Sequence, residues 1–593
     1  MDMTYAYNKA AEKAILAALS LDAPWALIQR FSTLVRESGS QDERTAARYI
    51  IDRLKEWGVP HTVYGPELYL SVPVLASVEL SPQKVLRAKT PAFSQSTGPQ
   101  GLGGEVVYVP TSLDPKAGFV TDADAAIHQI DVRGKIVLIE GFAMRRKVLE
   151  LEQAGAIGQI YVHPGENIHW GICSSIWGAP DPDSIDRKPQ TPNVSVNRPD
   201  GETLIRLAKE GSLRVILHTE LDEGWKECLL PVAEIPGASV PDKFVLVHGH
   251  YDSWGVGIGD NATGDGALLE LARVFWQNRG ELRRSVRIAW WPGHSTGRYA
   301  GSTWYADQLA LDLDDNCIAQ VNIDSPGCRW ATEYTGQTWT SEAEVFCQQA
   351  IGDATGQDSQ GGRPHQAGDY SFNNIGLTSF FMLFSTMPAK LRQEKGYYHV
   401  GGGGGNIAWH TEDDTLEIAD RDNLLRDMHA YGVALSRLVN APVLPFDFAA
   451  VAREFIETLT RYQAAGQGRF DFCSVLDEVK QLEAALEAFN SRAKKAAELP
   501  FGHVEQRRIN DVLMQLARVL VPINFTREGR FRHDPAWPIP PLPDLALAEE
   551  LAALDSESDR AKFAQTHLLR GRNRVAAAVR RARRLVQSVL SKE

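Results

Sequence analysis

The chain has 593 residues, 44% hydrophobic and 23% charged, more than one hydrophobic core serves, so two to four globular domains are expected. Its 62 Lys and Arg against 75 Asp and Glu give a formal charge of −13, which argues against nucleic acid or an anionic membrane as the main partner. No apolar run is long enough to span a bilayer, the opening residues lack a leader pattern, and six cysteines are scattered without a CxxC pair; the expectation is a cytoplasmic protein with reduced thiols.

In chain order, residues 20–60 read as two helices. "SGSQDERTAARYIIDRLKEWG" holds a capping box, Ser40 with Glu43, followed by Ala46, Ala47, Ile50, Ile51, Leu54 and Trp57 at helical spacing and by a stop at Gly58. From 103 to 222 the texture changes to short β-rich runs broken by Gly and Pro ("GGEVVYVP", "VRGKIVLIEG", "AGAIGQIYVHPG", "TPNVSV"), which predicts a separate β-rich domain. Strands and helices alternate between 240 and 440, with "KFVLVHG", "SVRIAWW", "CIAQVNID" and "LTSFFMLF" as strands. That alternation predicts an α/β, doubly wound, mostly parallel sheet with its ligand site at the carboxyl ends of the strands. Beyond "APVLPFDF" the chain reads as helical, interrupted by "DPAWPIPPLPDL". The Arg-rich last helix reads as a solvated or subunit-facing one. The predicted division is 1–102, N-terminal helices and the start of the core; 103–222, the β-rich insertion; 223–442, the metal-binding core; and 443–593, the helical domain.

Chemistry-bearing residues fall where strands end. His250 closes one strand and Asp252 follows it, placed to orient the imidazole. Asp260 opens a Gly-rich turn into a helix, Asp324 closes "CIAQVNID", and His410 lies in "IAWHTEDDT" after "GGGGGN". Imidazole and carboxylate at successive strand ends suit zinc in a hydrolytic site, and a carboxylate such as Asp260 can bridge two ions. The cofactor expected is therefore Zn2+, one or two ions, with another divalent metal as the alternative. The "GGGGGN" run has no GK[ST] after it, so it reads as a lid segment beside His410 rather than a phosphate loop.

The blocks "HYDSW", "GDNATG", "AGSTWYAD", "VNID", "WHTEDDT" and "GDYSFNNIGLTSF", in this order, resemble the metal-site blocks of the zinc aminopeptidase-like metallopeptidases of the glutamate carboxypeptidase II and transferrin receptor type. The resemblance implies that 103–222 is a protease-associated insertion and that the helical end, with "INDVLMQLARVLVPI", is a dimerisation domain, hence a homodimer. It also implies that His250 and Asp324 hold one metal, Asp260 bridges, and His410 holds a second.

The resemblance breaks in "WWPGHSTGRYAGSTWYAD". Where the family has two adjacent glutamates, a catalytic base and a ligand, the alignment falls on His294 and Ser295 or on Ser295 and Thr296. Trp409 stands where the family's glutamate carboxypeptidase II has a tyrosine. Three readings follow. His294 takes over a glutamate's work in a hydrolase of an amide or peptide-like bond; the fold hosts a single-metal lyase, cyclase or ring-opening reaction; or the chain is a binding pseudoenzyme. The reading carried forward is the first, with His294 and Asp252 as catalytic residues and a small molecule or short peptide as substrate. Ser295, Arg298, Tyr299, Arg363, His365, Asp369 and Trp409 are the expected substrate contacts, and Trp170 and Trp177 of the insertion are candidates to cover the pocket.

Overall fold

In the computed structural model, residues 7–111, 129–211, 213–366, 368–381 and 384–591 are described. A six-stranded sheet forms the core, in the order His61–Tyr64, Leu230–Ile235, Arg284–Trp291, Val240–His250, Cys317–Asn322, Thr378–Phe380. The last four strands run parallel, and the first two pair antiparallel at one edge. The sheet is therefore mixed but mostly parallel, as the strand–helix alternation predicts.

These strands are apolar throughout because both faces are covered. Alternate side chains point to opposite faces. Val245, Val247, Val286 and Ile288 face a helical layer that includes Thr263–Gln277, Glu344–Thr355 and Arg421–Asn440. Phe244, Leu246, Ala289 and Trp291 face Tyr305, Leu313 and Phe372 on the other side. The helix Gln41–Glu56 begins as the capping box predicts, Ser40 Oγ accepting from the Glu43 amide at 3.0 Å, while the Glu43 carboxylate accepts from the Gly39 amide at 2.7 Å. All six cysteines are unpaired with one another. No helix among the described residues is long and apolar enough to cross a membrane.

A second, seven-stranded sheet is built mainly by the β-rich segment, in the order Lys84–Arg87, Glu67–Ser81, Arg214–Glu227, Leu102–Val109, Ile136–Glu140, Gly158–Val162, Asn193–Val196. Its two long strands, Glu67–Ser81 and Arg214–Glu227, pair antiparallel and lead back to the core. Leu68 and Leu70 of this ribbon pack on Ala300, against the loop that begins at Gly293. Gly293 has φ +68°, and a Cβ there would meet both leucines at 3.1 Å, so a glycine suits both the backbone and the close approach.

After residue 443 the chain forms four long helices, Phe448–Ala465, Cys473–Ala497, Val504–Phe525 and Asp559–Leu590. Arg518 anchors them to the core by donating to the carbonyls of Leu313, Gly376 and Cys317. The basic face of the last helix is partly spent within the chain: Arg580 and Arg583 both reach Glu478.

The strand ends carrying the candidate ligands close tightly. A Cβ on Gly249 would stand 2.4 Å from the Ile323 carbonyl oxygen and 3.0 Å from Asn261 Nδ2. Gly249→Ala is therefore expected to lower stability by about 1–3 kcal/mol, the usual cost of overpacking. Urea unfolding of the variant beside the wild type measures this, and an unchanged midpoint would contradict the close approach.

Candidate metal centre

The central strand Val240–His250 lies between Arg284–Trp291 and Cys317–Asn322. Parallel pairing brings their carboxyl ends to one edge, so His250, His294 and Asp324 meet there from three adjacent strands. Their candidate ligand atoms all lie within 4.8 Å of one another. The rings of His250 and His294 stack with centroids 3.7 Å apart and planes 11° from parallel.

Asp260 sits between two imidazoles. Its Oδ1 is 2.9 Å from His250 Nε2 and its Oδ2 is 2.9 Å from His410 Nε2; Asp324 Oδ2 lies 3.7 Å from His250 Nε2. Burial works against ionising Asp260, but the hydrogen bonds and charges of His250 and His410 hold its carboxyl well below the usual range. The Gly259 and Asp260 amides both donate to Asp414, at 2.6 and 3.0 Å, which fixes the turn. Asn261 ties it to the strands, donating to the His250 and Ile323 carbonyls and accepting from the Ser325 amide.

Each imidazole is held through its outer nitrogen. His250 Nδ1 donates to the Asp252 carbonyl at 2.9 Å, His294 Nδ1 bonds Asp369 Oδ2 at 2.9 Å, and His410 Nδ1 donates to the Trp170 carbonyl at 3.0 Å. Because a carbonyl only accepts, Nδ1 carries the proton in His250 and His410, leaving Nε2 turned to Asp260. That is the arrangement by which ligating histidines are oriented. Three imidazoles and two carboxylates form a donor set that fits zinc, and His250, Asp260, Asp324 and His410 are the residues that would hold it.

Asp252 departs from its expected part. The His250 ring takes the Asp252 backbone oxygen, with the carboxylate farther off at 3.6 Å. That carboxylate instead accepts from the His294 and Ser295 amides, at 3.1 and 2.8 Å, and from Ser38 Oγ at 2.6 Å, so it organises the loop that replaces the glutamate pair. Asp369 is fully buried between His294 and Ser302 Oγ, 2.7 Å away. Burial pushes its carboxyl up, but the charge of His294 and the hydrogen bond to it outweigh this and hold it below the ordinary value.

A cavity of about 270 Å³ opens on this centre. Asp260, Asp324, His294 and His410 line it, together with Ser295, Arg298, Tyr299, His365 and Trp409 from the expected contacts. Trp170 lines it too. Trp177 does not; it packs on Tyr299 and donates to Ser371 Oγ at 3.0 Å. Arg363 is drawn away into a salt bridge with Glu454 at 3.1 Å and a bond to the Asn524 carbonyl. The "GGGGGN" run contributes Gly401 and Gly402 to the wall, and the Gly403 amide is pinned to Ser325 Oγ at 3.0 Å.

The sequence reading missed Arg145, His163, His169 and Trp254, which also line the cavity. Arg145 could have been suspected from its place just after the strand in "KIVLIEGFAMRR"; nothing local marks the others. Arg145 and Arg298 have no carboxylate partner among the described residues. Arg298 donates to the Ile172 carbonyl at 2.9 Å, and Arg145 reaches the Gln366 carbonyl at 3.5 Å. Burial, then the proximity of Arg298, pushes Arg145 down to about 10.

The fold and centre define a metallopeptidase-like α/β protein with an inserted β-rich domain. Residues 232–431 match Peptidase family M28 and residues 102–204 match the PA domain. These two matches, one over the core and one over the insertion, support a zinc aminopeptidase-like protein of the M28 type.

It is 26% identical over 317 residues to a probable glutamate carboxypeptidase of Zea mays (50% of this chain, 44% of that protein). It is 25% identical over 299 residues to carboxypeptidase Q of Xenopus laevis (46% and 58%). The chain thus spans about half the length of these relatives. Among solved structures it resembles an aminopeptidase from Aneurinibacillus sp. strain AM-1, with TM-score 0.54, 19% identity, and 72% of this chain and 96% of that one covered. A zinc aminopeptidase from Bacillus subtilis is similar at TM-score 0.54, 19% identity, 70% and 94%. At this identity the two structures support the fold.

Removing the Asp414 carboxylate by Asp414→Ala leaves the Gly259 and Asp260 amides without an acceptor and frees the Asp260 turn. Zinc affinity, measured by competition with a chelator, is expected to fall about 10–100-fold, as for other residues that orient ligands. Unchanged affinity would mean that Asp260 is held by other contacts.

Proposed function

We propose that this chain hydrolyses an amide or peptide-like bond in a small or short-peptide substrate bearing a free carboxylate. Zinc is the expected metal, and His294 takes over the proton work of the absent glutamate. The observation that carries the reading is the His294–Asp369 pair. With Nδ1 bonded to a buried carboxylate, the imidazole presents Nε2 as its free nitrogen, in a residue that lines the cavity beside His250 and Asp324.

Bound zinc would supply Lewis-acid polarisation of the carbonyl and a water acidic enough to attack it. His294 Nε2 is placed to take a proton from an attacking water, and Asp369 would stabilise the imidazolium that results, the division of roles in other His–Asp pairs. Ser295 holds the loop through the hydrogen bond that its backbone amide donates to the Asp252 carboxylate. Trp170, Trp254 and Trp409 form an apolar wall that limits water beside the centre.

Arg145 and Arg298 set the substrate's charge. A buried guanidinium, Arg298, and a half-buried one, Arg145, with no carboxylate partner among the described residues are costly, and an anionic group entering the cavity offsets that cost. A carboxylate matches the fork of an arginine. The names of the Zea mays and Xenopus laevis relatives, both carboxypeptidases, agree with a free terminal carboxylate.

His294→Ala is expected to retain its zinc, by elemental analysis, and to lose about 10²–10⁴-fold in kcat, the usual contribution of a general base. Full activity in that variant would end the reading, and loss of one zinc equivalent would make His294 a ligand instead of a base. Arg145→Gln and Arg298→Gln are each expected to raise KM for a substrate with a free carboxylate by about tenfold or more, the worth of a hydrogen bond to a charged group. The same substrate capped as its amide should already be poor for the wild type. Equal cleavage of both forms would remove the carboxylate from the proposal.

A further inference from the structure

His410 stands apart from the other candidate ligands. His250 and Asp324 extend from strands of the sheet, whereas His410 lies in a loop, at φ +57°, a backbone conformation that non-glycine residues seldom adopt. What holds it comes from the inserted domain. The Trp170 amide donates to the His410 carbonyl at 2.8 Å, and the His410 ring returns a bond to the Trp170 carbonyl. One residue earlier, His169 Nδ1 donates to the Trp409 carbonyl at 2.6 Å, so its Nε2 accepts from the Tyr398 hydroxyl at 2.7 Å. The His169 amide in turn donates to His163 Nδ1 at 3.0 Å.

The contacts continue along the loop. Lys89 Nζ bonds Glu412 at 2.9 Å and the Ile168 carbonyl at 2.6 Å, and Asn167 bonds Asp413. Trp409, His410, Glu412 and Asp413 are thus bonded to Lys89 and to residues 167–170 across the domain junction.

This lacing has a chemical consequence because the donor set is uneven. The side facing His250 and Asp324 has those two residues and Asp260. The side facing His410 has, among the described residues, His410 and Asp260, since Ser295 or Thr296 stands where the family resemblance expects a ligating glutamate. A site with two protein donors gains most from having them fixed in advance, because little ordering cost is then left for the binding step.

We propose that the inserted domain is a positioning element of the metal centre: His169, through the Trp409 carbonyl and the Tyr398 hydroxyl, together with the Trp170 backbone, holds His410 so that the weaker ion can bind between it and Asp260. His169 lines the cavity but holds no metal in this scheme. It acts through the peptide that carries the ligand, and ion binding on that side reports the docking of the inserted domain. The inference rests on the metal-dependent reading above.

The test is zinc titration of the full-length, metal-stripped chain against a competing chelator, for the wild type, His169→Phe and Tyr398→Phe. Thermal unfolding of each metal-free protein checks the fold. The wild type is expected to bind zinc in two steps. His169→Phe should weaken the second step by about 10–100-fold, as with other ligand-orienting residues, and leave the first within about twofold. Tyr398→Phe removes one hydroxyl, keeps the ring, and should shift the second step in the same direction by less, so the test does not hang on one variant's folding. Two steps of unchanged affinity in both variants, or equal weakening of both steps, would overturn the inference. A wild type that takes up a single zinc would overturn it while leaving the hydrolase reading intact. A wild type that takes up none would overturn both.

Discussion

One buried carboxylate, Asp260, is shared by two imidazoles arriving from different parts of the chain, and the centre is arranged around that sharing. A carboxylate with almost no access to water is costly unless every lone pair is met. Here His250 meets one oxygen and His410 the other. The turn carrying it is fixed from behind by Asp414 and sideways by Asn261. Moving any of these would leave a buried charge half-compensated, so the surrounding backbone has little freedom.

The loop from Gly293 to Tyr299 shows how the same scaffold carries a different set of side chains. It carries no glutamate, and its path is set through the backbone. Asp252 collects the amides of His294 and Ser295, and Gly293 lets the chain lie against Leu68 and Leu70. With the loop held by its amides, the side chain at 294 is free to change identity. Asp369 then gives the new imidazole a defined orientation and a counter-charge. The replacement is thus a coupled arrangement of three residues.

The cavity is assembled from two domains. The core supplies the ligands and Arg298, while the inserted domain supplies Arg145, His163, His169 and Trp170. The insertion therefore contributes charge and apolar wall as well as cover. Its contact with the His410 loop joins substrate-facing and ligand-facing parts through one junction.

The sequence by itself determined the alternation of strands and helices, the apolar strands, the capping box at Ser40, the strand-end positions of His250 and Asp324 and the place of Asp260 in the turn that follows His250. These follow from local periodicity and from the rule that parallel sheets present ligands at their carboxyl ends. It also exposed the missing glutamates, since absence of a carboxylate is visible in the letters. Only the tertiary structure decided which side chains meet. Arg363, which reads like a substrate contact, turns to Glu454, whereas Arg145, unremarkable in its helix, faces the cavity. Asp369 lies 75 residues from His294 and Trp170 lies 240 from His410, so no spacing could pair them. The Asp252 carboxylate serves amides instead of an imidazole because hydrogen-bond choice depends on sub-ångström placement, and that is fixed only when the sheet, the ribbon and the inserted domain close on one another.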